Sequence, residues 1–365
     1  MHKDVHEPLL RISKRDALPF WKAWLIRLAA VILALIVCAI VVYAIVKLNP
    51  LKVYAAMWSG AFGTGMRTWI TIRDAMMLLC IAIGLAPAFK MRFWNIGAEG
   101  QILVGGIATA ACMIYLGNNI PTIPLLLLMM VVSAIAGAIW GLIPAFFRAR
   151  WNTNETLFTL MMNYVAIQLT SFFVSKWEHP AGSNSVGIIN IDTKGGWFPA
   201  LFGQQYMLNA LIVLALTILM FFYLRNSKHG YEIAVVGESE RTARYIGINV
   251  SKVMMRTMLV SGAVCGVAGF VAVSGSSHTI STYTAGGRGF TAIIVAWMAK
   301  FNTLVMILIS FLLIFLDRGA SEIASQFNLN EYASDILTGI ILFFILGSEF
   351  FINYRLILRG RKERA

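Results

Sequence analysis

Charge is scarce in this chain. Asp and Glu number 17 among 365 residues, and all charged residues together make up 13%. A soluble domain carries about 25%, which argues against a water-soluble enzyme or binding module. Cysteine is rarer still. Cys38, Cys80, Cys112 and Cys265 each lie inside an apolar run, and no pair has metal-ligand spacing. They read as buried free thiols that pack as small hydrophobes. The five histidines, His2, His6, His179, His229 and His278, are scattered, and no His-Glu-x-x-His occurs, which argues against a metal site. A Gly-rich loop ending in Lys-Ser/Thr is missing, so no nucleotide phosphate is bound in that way. No Ser/His/Asp set is suggested by spacing. Catalysis is not indicated, and neither a cofactor nor a metal is expected.

What the chain does have is long apolar blocks, 59% hydrophobic residues in all. Leu28 to Val46 carries no charge and is long enough to cross a bilayer as a helix. Similar blocks follow at Ala75–Phe89, Ile102–Leu116, Pro124–Phe147, Leu157–Ser175, Met207–Leu224, Thr257–Val273, Thr291–Ala299, Thr303–Leu316 and Ala333–Ile352. The expected fold is all-α: a polytopic membrane protein of about ten crossings, both termini cytoplasmic. The runs Thr291–Ala299 and Thr303–Leu316 are short, and either form one long helix or a pair hinged at Lys300-Phe-Asn302. An even number of crossings favours the pair. With that topology, 22 of the 30 Lys and Arg fall on the inside, as the positive-inside rule requires. The net charge of +13 is therefore read as a topology signal and not as a nucleic-acid surface. Lys47–Arg73 dissents with four basic residues outside. It is expected to lie on the membrane surface as an amphipathic helix with Leu51, Tyr54, Ala55 and Trp58 on one face.

The organisation expected is a cytoplasmic leader over residues 1–26, one transmembrane domain over 27–354, and a basic cytoplasmic tail over 355–365. The first apolar run is too long for a cleaved signal peptide and follows a leader holding Asp4, Glu7 and Asp16. Two polar stretches exceed a tight turn: Lys176–Gln205 outside and Arg225–Arg256 inside. Gly137-Ala-Ile-Trp-Gly141 and Gly262-Ala-Val-Cys-Gly266 are small-xxx-small patterns, which serve either packing within one bundle or a subunit interface.

Three constellations carry potential chemistry. Asn95 and Glu99, with Gln101, stand at the mouth of the run beginning at Ile102, beside Gly97 and Gly100. Polar groups at that depth are costly and usually functional. Glu99 either belongs to a solute pathway, caps a neighbouring half-helix, or pairs with Arg92. Glu155, Thr159 and Asn163, extended by Thr170, form a polar stripe that must face the bundle. It either lines a pathway or joins helices. Inside, Gly237–Gly247 reads as a short helix with Ser239 as N-cap and Gly247 as stop. Glu240 suits its N-terminal end and Arg244 its C-terminal end. So short a helix is unstable alone and needs a docking surface, unless it is only a solvated loop.

These motifs, taken in order, resemble a known family. Asn95-Ile-Gly-Ala-Glu-Gly-Gln101 is similar to the signature of ABC-importer permeases of the branched-chain amino acid and ribose class. Asn154-Glu-Thr-Leu-Phe-Thr-Leu-Met-Met-Asn-Tyr164 resembles a segment of the nucleoside and simple-sugar branch. Ala234-Val-Val-Gly-Glu238 with Ala243-Arg-Tyr-Ile-Gly-Ile248 looks like the cytoplasmic coupling segment. Gly287-Arg-Gly-Phe-Thr-Ala292 resembles the entry to the late short helices. Trp94, Trp297 and Met298 depart from the family pattern. The resemblance implies two halves of inverted topology and a place in the cytoplasmic membrane of a bacterium. It also implies import of nucleosides or related sugars, with this chain as the larger of two permeases. A second permease subunit, cytoplasmic ATPases and an extracytoplasmic solute-binding lipoprotein are its implied partners, besides membrane lipid and the small-molecule solute. It assigns Asn95, Glu99, Gln101, Glu155, Thr159 and Asn163 to the pathway or its gating. Ser239, Arg241, Arg244, Tyr245 and Gly247 would couple to the ATPase. A ribose-like monosaccharide importer is the alternative of the same class. A stand-alone secondary transporter would need an ion-coupling site, for which Glu99 and Glu155 are the candidates, and would have no use for a docking helix.

Overall fold

The computed structural model describes residues 10–15, 18–46, 49–327 and 331–358. The rest of the leader and of the tail, residues 1–9, 16–17 and 359–365, lies outside the described residues. The helices are α1 (Phe20–Val46), α2 (Pro50–Phe62), α3 (Gly65–Lys90), α4 (Ala98–Leu116), α5 (Thr122–Trp151), α6 (Glu155–Trp177) and α7 (Met207–Asn226). They continue as α8 (Lys228–Glu238), α9 (Glu240–Tyr245), α10 (Val250–Ala272), α11 (Arg288–Met298), α12 (Thr303–Gln326) and α13 (Glu331–Asn353). Strands β1 (Leu10–Lys14) and β2 (Tyr354–Leu358) pair antiparallel, Leu10 opposite Leu358 and Lys14 opposite Tyr354. Among the described residues nine helices are long and apolar enough to cross a membrane.

Helix starts follow from local chemistry. The side chains of Asn154, Ser227, Ser239 and Asn249 each accept a hydrogen bond from a first-turn amide of α6, α8, α9 and α10, closing donors that the helix leaves open. The hinge expected at Lys300–Asn302 is present. Lys300 and Phe301 are left-handed, and the backbone breaks between α11 and α12.

Two boundaries differ from those expected. The run Thr303–Leu316 is not short, because α12 continues through Asp317 and Arg318 to Gln326. Glu322 on that extension is ion-paired with Arg67 at 2.9 Å, so charge there is neutralised and does not end the helix. Conversely, α11 has only eleven residues, a rise of about 16 Å, too little for a hydrocarbon core of about 30 Å. It is half a crossing. Between α10 and α11 lie a π-helical turn, Val273–Ser277, and a non-helical stretch to Gly287. α1 starts at Phe20, within the expected leader, with Trp21, Lys22 and Trp24 in its first turns. Such residues favour the membrane interface.

The described chain forms two compact units, one from both chain ends (Met1–Arg67 with Phe315–Ala365) and one from Thr68–Ile314. In the first, α1 packs along α13, pinned by Arg27 to Glu349 at 2.6 Å. α2 falls in the stretch expected to be amphipathic, but Tyr54 leaves the expected face, its hydroxyl donating to Leu35 O on α1. Leu51, Ala55 and Trp58 are exposed, while Val53, Ala56, Met57 and Ala61 are buried. In the second, α4, α5 and α10 pack most extensively. The two small-xxx-small patterns meet each other there. A Cβ at Gly137 would strike the carbonyl of Gly262, and one at Gly262 the carbonyl of Gly137. They are thus a packing device inside this chain, allowing backbone approach where no hydrophobic effect drives association. Buried α3 lies against α10, where Cys80 and Gly84 meet Val264 and Cys265.

Candidate functional site

The turn between α3 and α4 is built by its own side chains. Arg92 takes a left-handed conformation, φ 62°, and turns the chain back after α3. Asn95 is fully buried. Its Oδ1 accepts from Gly97 N–H at 3.0 Å, and its amide pairs reciprocally with that of Gln101 at 3.4 Å both ways. Its Nδ2 also donates to Ser261 Oγ on α10 at 3.3 Å. Asn95 and Gln101 therefore clamp the α4 entry to itself and to α10.

The polar stripe of α6 lies against this same turn. Thr159 Oγ1 accepts from Ile96 N–H at 3.1 Å and donates to Glu155 O at 2.8 Å. Asn163 Oδ1 accepts from Gly100 N–H at 2.9 Å, while its Nδ2 donates to Ile96 O at 2.9 Å. Gly100 has room only for hydrogen, since a Cβ would stand 3.0 Å from Asn163 Oδ1. Two of the constellations read separately in the sequence are thus one contact, in which α6 satisfies backbone groups of the 94–100 turn. Thr159 and Asn163 join helices. Glu155 sits lower, 3.3 Å from Arg148, and Thr170 bonds its own helix at Ala166 O.

Glu99 is 9% exposed. Its Oε1 accepts from Gly289 N–H at 2.6 Å, and the charge of Arg288 acts on it as well. Of the three roles open to it, the geometry is that of a cap on the half-helix α11, and not a pair with Arg92. α11 begins after the left-handed Gly287, which offers no side-chain cap of its own, so the carboxylate from α4 supplies one. A carboxylate at a helix N-terminus satisfies open amides and the dipole together.

Asp74 on α3 was not singled out from the sequence. It is 4% exposed, with Arg73 at 2.9 Å and Arg288 at 3.7 Å. Arg73 in turn lies over the Tyr206 ring at 5.0 Å. Arg288 thus links Asp74 on α3 to the start of α11, and its charge also acts on Glu99 of α4. The available signal was the Arg73-Asp74 dipeptide immediately before an uncharged run, the same kind of signal as Glu99. Farther along α11, Trp297 stacks on Trp94, centroids 5.4 Å apart, with Phe89 edge-on to both. Two of the departures from the family pattern are therefore in contact with each other.

The cytoplasmic arm is longer than the sequence suggested. α8 precedes α9, and its amphipathic pattern was missed within the polar stretch 225–256. Gly237 of α8 packs against the carbonyl of Lys90. Ser239 caps α9, its Oγ accepting from Thr242 N–H at 3.2 Å. Gly247 ends it at φ 86°. Arg244 reaches Glu240 at 3.5 Å, and Tyr245 is 91% exposed. On the opposite face the loop 178–206 is folded onto the helix ends. Asn190 Nδ2 donates to Met113 O at 2.7 Å, and Ile189 N–H to His278 O at 2.8 Å. His278 stacks flat on Trp197, 3.8 Å between centroids. Burial holds its imidazole below the ordinary histidine value. Among the described residues no cluster of His, Cys, Asp and Glu could hold a metal ion. The site offers polar and charged groups with helix ends, a set suited to holding or gating a solute.

Comparison with known proteins shows the family. The family model described as branched-chain amino acid transport system, permease component, matches residues 67–346. The guanosine ABC transporter permease protein NupP of Bacillus subtilis is 29% identical over 299 residues, covering 81% of this chain and 85% of the relative. The glucose ABC transporter permease protein TsgB13 of Haloferax volcanii is 26% identical over 358 residues, covering 95% and 93%. The nucleoside ABC transporter permease protein NupB of Lactococcus lactis is 25% identical over 310 residues, covering 81% and 84%. No solved structure gives a significant match. The chain belongs to the family of branched-chain amino acid transport system permease components: it is a multi-pass permease subunit of an ABC importer in the cytoplasmic membrane, not an enzyme.

Proposed function

We propose that this chain forms the pathway by which a nucleoside enters the cell, working with a second permease, a separate ATPase and an extracytoplasmic solute-binding lipoprotein. The observation that carries the solute class is the similarity to relatives named for guanosine and for nucleosides, each covering about four-fifths of the chain. Glu99, Asp74 and Arg288 act together at the start of α11. A half-helix pinned by an ion pair and a carboxylate cap has two discrete states available, pinned and released, which suits a gate. Asn95, Gln101, Thr159 and Asn163 hold the α4 entry in place beside it. The arm α8–α9 receives the ATPase. Tyr245 and Arg244 point into solvent on a helix too short to persist alone, and aromatic and arginine anchors dominate such contacts. Phe202, 91% exposed at the tip of the outer loop, supports docking of the solute-binding protein there. A monosaccharide importer is the second reading, favoured by the glucose permease relative, which matches 95% of this chain.

The test is uptake into vesicles holding the complete transporter, with labelled guanosine, uridine, glucose and ribose in mutual competition. Nucleoside uptake untouched by excess sugar is expected, and sugar uptake untouched by excess nucleoside would establish the second reading. Arg244→Glu with Tyr245→Ala should release the ATPase during co-purification while the permease still inserts. Retention of the ATPase with normal uptake would remove α9 from the coupling role.

A further inference from the structure

The inner end of the 68–314 unit holds a cavity of about 520 Å³, open to the surroundings. Its walls come from the end of α3 (Lys90), the end of α7 (Phe221, Leu224, Arg225), α8 (Tyr231) and the break from Lys300 into α12. Three cations line it, and no Asp or Glu does. Lys90 Nζ donates to Leu224 O at 3.4 Å, and Arg225 lies against the Phe221 ring at 5.6 Å. Both cations are thereby held in the wall. The N-terminus of the 24-residue α12 opens on the same space; Asn302 Oδ1 accepts from its Leu304 N–H at 3.1 Å, and the helix adds the positive end of its dipole. Thr303, the first residue of α12, is 1% exposed, and its hydroxyl has no hydrogen-bond partner. A buried hydroxyl left unpartnered is unfavourable and points to a ligand that completes it.

We propose that this cavity binds the phosphodiester headgroup of an anionic phospholipid from the inner leaflet. Cations, a helix N-terminus and a free hydroxyl together suit a phosphate, and basic pockets between helices at the cytoplasmic surface are where such headgroups bind. A soluble phosphate would share the headgroup chemistry. The lipid is favoured by what lies next to the cavity. Leu211, Ile218, Leu219 and Phe222 are exposed along α7, which ends at the cavity wall with Arg225. Acyl chains can follow that apolar stripe while the headgroup sits below it.

The test uses the full chain in detergent micelles, incubated with equal amounts of phosphatidylglycerol and phosphatidylethanolamine and read by native mass spectrometry. The unaltered protein should retain phosphatidylglycerol preferentially. Arg225→Gln with Lys300→Gln should cut that preference on the order of thirtyfold. Arg225→Lys with Lys300→Arg, which keeps both charges, should preserve it and shows that folding is not the cause. Glycerol 1-phosphate at millimolar concentration should leave the lipid bound. Equal retention of the two lipids would overturn the proposal, as would an unchanged preference in the neutral variant. Displacement by glycerol 1-phosphate would assign the cavity to a soluble phosphate instead. If the neutral variant loses its ATPase on co-purification yet keeps its phosphatidylglycerol, the cations seat the ATPase and the proposal fails.

Discussion

Replacing Glu99 by Ala removes the carboxylate that accepts Gly289 N–H at 2.6 Å and leaves that amide buried. Loss of a cap costs about 0.5–2 kcal/mol, and a buried orphan donor about 1–3 kcal/mol. These are two descriptions of one loss, so a single value of about 2 kcal/mol is appropriate. α11 has little reserve against it. It has eleven residues, is interrupted after Met298 by left-handed Lys300 and Phe301, and is too short to persist on its own propensity. The expected result is local opening of α11. Amide exchange over residues 288–298 should accelerate roughly thirtyfold in Glu99→Ala, while α5 and α10 keep their protection. Glu99→Gln retains an acceptor oxygen of the same reach and should fall between Ala and the unaltered protein. Solute uptake should decline in the same order. Hydrogen–deuterium exchange of the detergent-solubilised protein measures this directly. Unaltered protection of 288–298 in Glu99→Ala would refute the capping role and, with it, the reason for the buried carboxylate.

Asn163→Leu should lower the stability of the α4–α6 contact by about 1–3 kcal/mol, since Gly100 N–H and Ile96 O lose their partner together. Asn163→Asp keeps the acceptor and should cost less, as read from thermal midpoints in detergent. The outer loop should respond to acid through His278. Its imidazole titrates below the ordinary value of about 6.5 because burial disfavours the charged form. The unfolded chain therefore binds the proton first, and the stability due to neutral His278 is complete above that ordinary value and is lost as pH falls through the folded one. His278→Phe keeps a flat ring on Trp197 and should flatten the acid limb of a midpoint-against-pH profile. An acid limb identical in the two proteins would exclude His278 as its source.

The all-α class and most of the spans were legible in the sequence. In a bilayer each segment must satisfy its own backbone, so hydropathy and charge act locally. The same holds for the cap at Ser239, the stop at Gly247 and the break at Lys300–Asn302, each written within a few residues. The α8 helix was missed, because its amphipathic pattern sits inside a charged stretch that reads as a loop. What tertiary structure alone decided was partnership. Glu99 could cap, pair or line a pathway, and it meets Gly289, 190 positions away. The stripe of α6 is polar for the sake of the turn at 94–100. The glycine pattern of α5 is answered by that of α10, and Trp94 by Trp297. Asp74 acquires its meaning only when Arg288 reaches it. Sequence patterns specify which faces must be buried. Which buried polar group answers which other is decided by chain crossings far apart in sequence, where only the assembled helices bring the two within hydrogen-bond reach.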